Sequence, residues 1–220
     1  MCGRYSITTN VEALRRLFGF GAGPDLQPRF NLAPSQSAPV VRLSAAGERE
    51  LVMLRWGLIP SWVKDPAIGN RMINARAETL AEKPSFRAAL RDRRCLVLAD
   101  GFYEWQVQGS RKQPYFIKLA DGLPFAMAGL WERWNDRAGG ETVETFTIVT
   151  TEATQALRAI HERMPVILDH RGQESWLSAK SAGGLQPLLR PFSGPMAAYP
   201  VTSFVNSPKN DSPACIEPAP

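Results

Sequence analysis

Cysteine is rare in this chain, and a long apolar run is missing. The three cysteines, Cys2, Cys95 and Cys215, are too few and too scattered for a disulfide framework or a zinc site. No run approaches the ~20 apolar residues that span a membrane, and the N-terminus lacks the basic and apolar regions of a secretory signal. These absences predict a protein of the reducing cytoplasm with free thiols, no membrane contact, and no metal or cofactor.

Lysine is also scarce, whereas arginine is abundant. Six lysines stand against 20 arginines, the formal net charge is +5, and the isoelectric point is about 9.4. A basic balance favours anionic partners, and the planar guanidinium matches phosphate and carboxylate oxygens in a bidentate way. A GC-rich genome enriches arginine codons as well, so the excess is compatible with phosphate binding or with codon usage.

Local patterns predict one α+β domain, with many antiparallel strands and short helices at the edges. The 220 residues fit a single large domain, and 18 prolines and 17 glycines favour turns over long helices. Asn10 can cap a helix over residues 11–18, and Thr151 a helix that runs to about residue 160. The domain is expected to cover residues 1–211, followed by an irregular, proline-rich tail at 212–220.

The second residue is a cysteine, which gives the N-terminus a distinctive chemistry. Initiator methionine is generally removed before a small residue, so loss of Met1 would leave Cys2 with its amine and thiol on adjacent carbons. Such a 1,2-aminothiol condenses with an aldehyde: the amine forms a Schiff base and the thiol closes a thiazolidine ring. Arg4 would share a strand face with Cys2 and lower the pKa of both groups. A cysteine at this position also occurs by chance.

Asn74 and Glu104 are two further candidates. Asn74 could position a carbonyl oxygen or an amine while Arg76 holds a phosphate, although a turn asparagine with a solvated arginine is the simpler interpretation. Glu104 lies among aromatic residues, so desolvation would raise its pKa and let it exchange protons near neutrality. A glutamate that points to water from an edge strand fits the same alternation.

His161 is one of only two histidines, the other being His170. It follows an amphipathic segment and precedes Pro165, and an ordinary pKa of about 6.5 suits proton transfer. A histidine that interacts with a helix C-terminus fits this position equally well. His170 is most simply a surface turn residue.

A repeated spacing connects these candidates, because an arginine stands two residues after three of them. The pairs are Cys2 with Arg4, Asn74 with Arg76, and His161 with Arg163. In extended segments this spacing predicts a cationic rim around an aldehyde-reactive centre, and so a substrate that is both aldehydic and anionic. Trp62, near Lys64 in a proline-marked loop, could stack a nucleobase as single-strand binders do, or could plug the loop.

Eight segments, in this order, resemble the SOS response-associated peptidase (SRAP) family. No single segment is decisive, but the ordered set is highly specific and spans nearly the whole chain. The segments are MCGRY at residues 1–5, FNLAP at 30–34, RWGLIP at 55–60, NARAET at 74–79, GFYEW at 101–105, VTT at 149–151, HERMP at 161–165 and VNSP at 205–208. The resemblance implies a mostly β pseudo-barrel with peripheral helices.

The resemblance also implies a sensor and shield of abasic sites in single-stranded DNA, where the opened sugar is an aldehyde. Carried over by motif, Cys2 would be the nucleophile that forms a stable thiazolidine cross-link. Asn74 would orient the ring and the opened sugar. Glu104 would shuttle protons during Schiff-base formation, and His161 would assist sugar-ring opening and reversal.

The same resemblance assigns the DNA contacts. Arg4 and Arg76 would hold flanking phosphates, and Trp62 would stack near the lesion. The arginine spacing, not the resemblance, adds Arg163 to the expected DNA-binding residues. Some family members carry two adjacent aromatic residues in this loop, whereas here Val63 follows Trp62. The expected partner is single-stranded DNA with abasic sites, and the protein is expected to be a cytoplasmic monomer that joins the nucleoid when bound.

Two rival hypotheses stay open. A cysteine amidase or peptidase would use Cys2 as nucleophile with His161 as base, and would turn over amide substrates without DNA. A DNA-binding module without chemistry would keep all of its activity after Cys2→Ala.

Overall fold

Two β-sheets carry most of the chain, in a computed structural model that describes residues 2–136, 139–179 and 181–220. The strands in chain order are β1 (Tyr5–Ile7), β2 (Arg29–Leu32), β3 (Ser37–Leu43), β4 (Arg49–Trp56), β5 (Asn74–Arg76), β6 (Arg94–Ala99), β7 (Gly101–Gln108), β8 (Arg111–Leu119), β9 (Phe125–Asn135), β10 (Thr142–Glu152), β11 (Arg163–Pro165), β12 (Ile167–Leu168) and β13 (Met196–Pro200). The helices are α1 (Val11–Phe18), α2 (Pro84–Asp92), α3 (Gln155–Arg158) and α4 (His170–Ser178). Short 3-10 turns lie at Pro66–Arg71, Ala77–Thr79, Ala182–Leu188, Ser203–Asn206 and Pro213–Cys215.

Five strands of the larger sheet close into a barrel. β10 pairs antiparallel with β9 and parallel with β4, and the circuit returns through antiparallel pairs of β4 with β3, β3 with β6, and β6 with β9. The buried Trp56 ring lies 6.2 Å from the Phe146 ring and 5.2 Å from the Tyr5 ring. Closure removes exposed sheet edges, and the predicted α+β pseudo-barrel is confirmed.

The smaller sheet brings the N-terminal segment to the strand that carries Glu104. Its order is β13-β8-β7-β1-β2, and Tyr5 lies opposite Phe102. Just before β1, the Arg4 carbonyl accepts a hydrogen bond from the Tyr103 N–H at 2.9 Å. The residues around position 2 therefore lie next to the middle of β7.

The helices are short and peripheral, and one of the two predicted boundaries is wrong. The Asn10 side chain caps α1 by accepting from the Ala13 N–H at 3.0 Å, as the sequence indicates. By contrast, β10 continues past the buried Thr151, which pairs with Met164 of β11, and α3 begins only after Thr154. Strand pairing thus outweighs capping propensity there. No helix in the described ranges is long and apolar enough to cross a membrane.

Residues 212–220 are irregular but pack against the smaller sheet. Cys215 is buried, Val201 forms an isolated bridge with Pro218, and the Ala219 N–H donates to the Pro200 carbonyl at 2.8 Å. The domain limit at residue 211 stays a prediction.

Gly57, directly after β4, occupies a backbone position that only glycine fits. Its φ is +122°, and an added Cβ would lie 2.5 Å from the Gly69 carbonyl oxygen. We expect Gly57→Ala to lower the free energy of unfolding by ~2 kcal/mol or more, because backbone strain and a steric overlap combine. Urea denaturation measures the loss.

Gly47→Ala is the matched control for this substitution. Gly47 has φ +81°, but a Cβ there would meet no atom within 4 Å. It should therefore lose only about 1 kcal/mol from backbone strain. Equal losses for the two variants would contradict a role for the Gly69 contact.

Candidate active site

Cys2 is fully buried just before β1. Its carbonyl oxygen accepts a hydrogen bond from Asn74 Nδ2 at 2.8 Å, and its thiol donates to the Arg4 carbonyl oxygen at 4.0 Å. Burial raises the pKa of the thiol well above its ordinary range, and the Glu104 carboxylate adds to the rise. The thiol therefore carries its proton at neutral pH.

The predicted effect of Arg4 on this thiol is wrong. Arg4 Nη1 donates to Asn31 Oδ1 at 2.7 Å and to the Val205 carbonyl at 2.8 Å, and the guanidinium lies 5.9 Å from the centre of the Trp105 ring. Because β1 begins only at Tyr5, strand alternation does not govern the residues before it. The thiol pKa is raised by burial instead of lowered by a guanidinium.

Asn74 is held against Cys2 by strand pairing. It opens β5, which runs parallel to β10 with Ile148 opposite Asn74 and Thr150 opposite Arg76. Asn74 Oδ1 is buried and has no hydrogen-bond partner among the described residues. Two positions further on, Arg76 is exposed to solvent.

Glu104 is desolvated, as one of the two sequence interpretations proposed. It is only 2% exposed, and β7 lies between β8 and β1, so it does not point to water from a sheet edge. Burial raises the pKa of its carboxyl group to about 7. Both protonation states are therefore populated at neutral pH.

His161 lies directly across from Glu104. Its Nε2 is 3.8 Å from Glu104 Oε2, and its Nδ1 accepts a hydrogen bond from the Arg163 N–H at 3.0 Å. Burial lowers the pKa of the imidazole, so the ring is mainly neutral at pH 7. The two groups can exchange a proton with a substrate placed between them.

Two open cavities meet at His161. The first, of about 510 Å³, is lined by Glu104, Trp105, Val107, Lys112, His161 and Asn206. The second, of about 810 Å³, is lined by Arg76, Glu152, Arg158, His161, Glu162 and Arg163. Arginine and lysine side chains thus stand on both sides of the histidine, where a polyanion could cross.

The structure brings the four predicted catalytic residues, Cys2, Asn74, Glu104 and His161, into one cluster. Trp62 is 56% exposed and lines neither cavity as far as the described residues show. No group of three histidine, cysteine or acidic residues is arranged to hold a metal ion within residues 2–136, 139–179 and 181–220.

Several cavity residues were not predicted as site residues, among them Arg158, Lys112 and Asn206. Arg158 lies in α3, Lys112 follows the turn between β7 and β8, and Asn206 accepts a hydrogen bond from Trp105 Nε1 at 2.8 Å. Of these three, only Asn206 had a usable signal, since it lies in the VNSP segment. The other two reach the site through chain folding that local sequence does not show.

The chain is similar to one protein family and to several named proteins over most of its length. A family model described as SOS response associated peptidase (SRAP) matches residues 1–208. The abasic site processing protein YoqW of Bacillus subtilis is 44% identical over 224 residues, which cover 99% of each chain. The abasic site processing protein HMCES of Gallus gallus is 34% identical over 262 residues, 99% of this chain and 78% of that one. A crystal structure of a Bacteroides thetaiotaomicron protein matches with a TM-score of 0.90 at 32% identity, covering 99% of this chain and 100% of that chain.

Glu104 should make folding stability depend on pH. Its pKa in the folded chain is about 7, above the ordinary value of 4.5. Between these values the folded chain holds a proton that the unfolded chain has released, so stability falls as the pH rises through this window. From pH 4 to pH 8 the wild type should lose about 3 kcal/mol relative to Glu104→Gln, which cannot ionise.

Urea denaturation of both proteins across this range measures the difference. Titrating groups far from Glu104 affect both proteins alike and cancel in the comparison. His161, 3.8 Å from Glu104, is replaced by glutamine in both proteins so that its titration does not contribute. A stability difference that does not change with pH would contradict the buried carboxyl group.

Proposed function

The chain belongs to the SOS response associated peptidase family, and we propose that it captures abasic sites in single-stranded DNA as a covalent adduct of Cys2. Relatives named abasic site processing proteins support this assignment. The observation that carries it is the contact of Asn74 with Cys2, beside a buried Glu104 whose pKa lies near neutrality.

The chemistry requires a free amine on Cys2. Met1 lies outside the described residues, so its removal stays a prediction. The amine adds to the sugar aldehyde, and loss of one water gives a C=N Schiff base. The thiol then adds to the carbon of this bond while a proton passes to the nitrogen, which closes the thiazolidine ring. We infer that the thiol is still protonated when the amine attacks the aldehyde, so that ring closure needs a proton acceptor for the thiol.

The neighbouring residues fit the remaining steps. Glu104, with a pKa near 7, can protonate the departing hydroxyl group and later accept the thiol proton. Neutral His161 faces the same space and would assist opening of the sugar ring. Asn74 Nδ2 already holds the Cys2 carbonyl, and Asn74 Oδ1 would accept a hydrogen bond from the reacting nitrogen.

Phosphates on either side of the lesion would lie in the arginine-lined cavity. Arg76 and Arg158 are exposed there and are the first choice for phosphate contacts, with Arg158 also donating to Glu152 Oε2 at 3.2 Å and to the Ala153 carbonyl at 3.3 Å. Arg4 and Arg163 stay proposed contacts, although both guanidinium groups already donate to protein oxygens, so a phosphate would use their remaining N–H groups. Trp62 would stack on a base farther along the strand.

A defined DNA adduct tests the proposal. We expect the wild-type protein and an abasic single-stranded oligonucleotide to form a one-to-one adduct that survives heat and denaturing electrophoresis. Its intact mass should equal DNA plus protein without Met1, less one water. Cys2→Ala should form none, because it lacks the sulfur that closes the ring, whereas Cys215→Ala should react normally.

Other outcomes would favour the rivals. An adduct formed by Cys2→Ala would overturn the role of the thiol. Turnover of amide substrates without DNA, dependent on Cys2 and His161, would support the amidase hypothesis instead.

The proposed contact of Arg76 with a phosphate can be tested separately, through the salt dependence of DNA binding. Each phosphate contact to a single strand contributes ~0.7 to the slope of log affinity against log salt. Arg76→Ala should therefore reduce the slope for undamaged single-stranded DNA by about 0.7. Arg91→Ala, which removes an exposed arginine of α2 outside both cavities, is the control. Equal slopes for Arg76→Ala and the wild type would exclude the contact.

A further inference from the structure

Glu78 and Arg163 join two segments that carry site residues. Glu78 lies in the 3-10 turn Ala77–Thr79 directly after β5, and Arg163 opens β11. Arg163 Nη1 and Nη2 donate to the two carboxylate oxygens of Glu78 at 2.6 and 3.0 Å, and Nη2 also donates to the Thr150 carbonyl at 2.7 Å. A bidentate pair of this kind fixes orientation as well as distance.

The backbone of Arg163 determines the state of His161. The Arg163 N–H donates to His161 Nδ1 at 3.0 Å. Because a backbone N–H can only donate, Nδ1 carries a lone pair, and the neutral ring has its proton on Nε2. Nε2 is the nitrogen that faces Glu104, at 3.8 Å. The ring therefore presents a proton donor toward the carboxyl group.

The pair also links the Asn74 strand to the His161 turn. β10 lies between them: its Thr150 pairs with Arg76 of β5 on one side and with Pro165 of β11 on the other. Backbone hydrogen bonds hold β5 and β11 to β10. The Glu78–Arg163 ion pair connects the end of β5 directly to the start of β11. The side chains of Asn74 and His161 thus keep a defined separation.

We propose that Glu78 and Arg163 are positioning residues that hold neutral His161 as its Nε2–H tautomer beside the Asn74 strand. The consequence for reaction rests on the proposed function. As the sugar ring opens, His161 Nε2–H gives its proton to the ring oxygen while the Glu104 carboxylate accepts the proton of the anomeric hydroxyl. The C–O bond of the ring breaks and the aldehyde C=O forms. Protonated Glu104 then returns a proton to His161 Nε2, 3.8 Å away, so that no imidazolate remains and both groups recover their starting states.

A role for Arg163 as a phosphate contact alone makes a different prediction. Glu78→Gln removes a negative charge from the cavity wall and releases the Arg163 guanidinium, so under either role DNA should bind at least as tightly. Only the positioning role predicts that the reaction slows although binding does not weaken.

The tautomer can be measured without DNA. His161 and His170 are the only histidines, so ¹⁵N-histidine NMR shows two rings, and the spectrum of His161→Gln assigns them. Exposed His170 serves as an internal reference. In the wild type we expect widely separated Nδ1 and Nε2 resonances for His161, as one tautomer gives. In Glu78→Gln and Arg163→Lys they should move toward each other, while His170 stays unchanged.

Two NMR results would overturn the proposal. One is averaged Nδ1 and Nε2 resonances for wild-type His161. The other is a His161 signal that Glu78→Gln leaves unchanged.

Single-turnover kinetics test the consequence. At saturating abasic DNA, Glu78→Gln should form the adduct on the order of tenfold more slowly, because the proton donor is less well placed. Glu78→Asp should recover part of the rate. Glu78→Gln and Arg163→Lys together should cost less than the sum of their separate effects, as expected for partners in one interaction.

Glu12→Gln is the matched control, since it breaks the exposed Glu12–Arg15 pair of α1 outside both cavities. It should react at the wild-type rate. If the wild type forms no adduct, the proposed function fails, and the NMR result still decides whether the pair positions His161. If the wild type reacts and Glu78→Gln reacts equally fast, the positioning role is wrong.

Discussion

The pairing of β10 with four other strands is the constraint on which both the core and the site depend. β10 runs antiparallel to β9 and β11 and parallel to β4 and β5. Its pairs with β9 and β4 close the barrel, and its pairs with β5 and β11 place Asn74 and His161 near each other. The stability of the core and the geometry of the site therefore both depend on β10. A change that shifts the pairing register of β10 would disturb both.

Burial limits the ionisation of the acidic groups in the site. An ionised carboxylate in a poorly hydrated place costs several kcal/mol, and protonation avoids this cost because the pKa of Glu104 rises to about 7. The Cys2 thiol stays protonated for the same reason. At neutral pH the site therefore holds a protonated thiol beside a carboxyl group that is only partly ionised.

Local sequence predicted those features that depend on near neighbours. The Asn10 cap of α1, the antiparallel character of the strands and the desolvation of Glu104 all follow from patterns within about ten residues. The helix predicted after Thr151 is wrong because β11, which returns from a later segment, extends β10 through that position. Capping propensity is a weak preference that a strand partner easily overrides.

Contacts between distant segments could not be predicted in this way. Arg4 contacts Asn31 and Val205, and Arg158 reaches the second cavity from the short helix α3, which follows β10.

The burial of the three thiols also depends on contacts between distant segments. Cys2, Cys95 and Cys215 are buried, and burial raises the pKa of each thiol. Alkylating reagents require an accessible thiolate, so Cys95 and Cys215 are shielded until their surroundings open. The rate of alkylation at each of these two cysteines then reports a separate event: opening of the barrel for Cys95, and release of the C-terminal turn for Cys215.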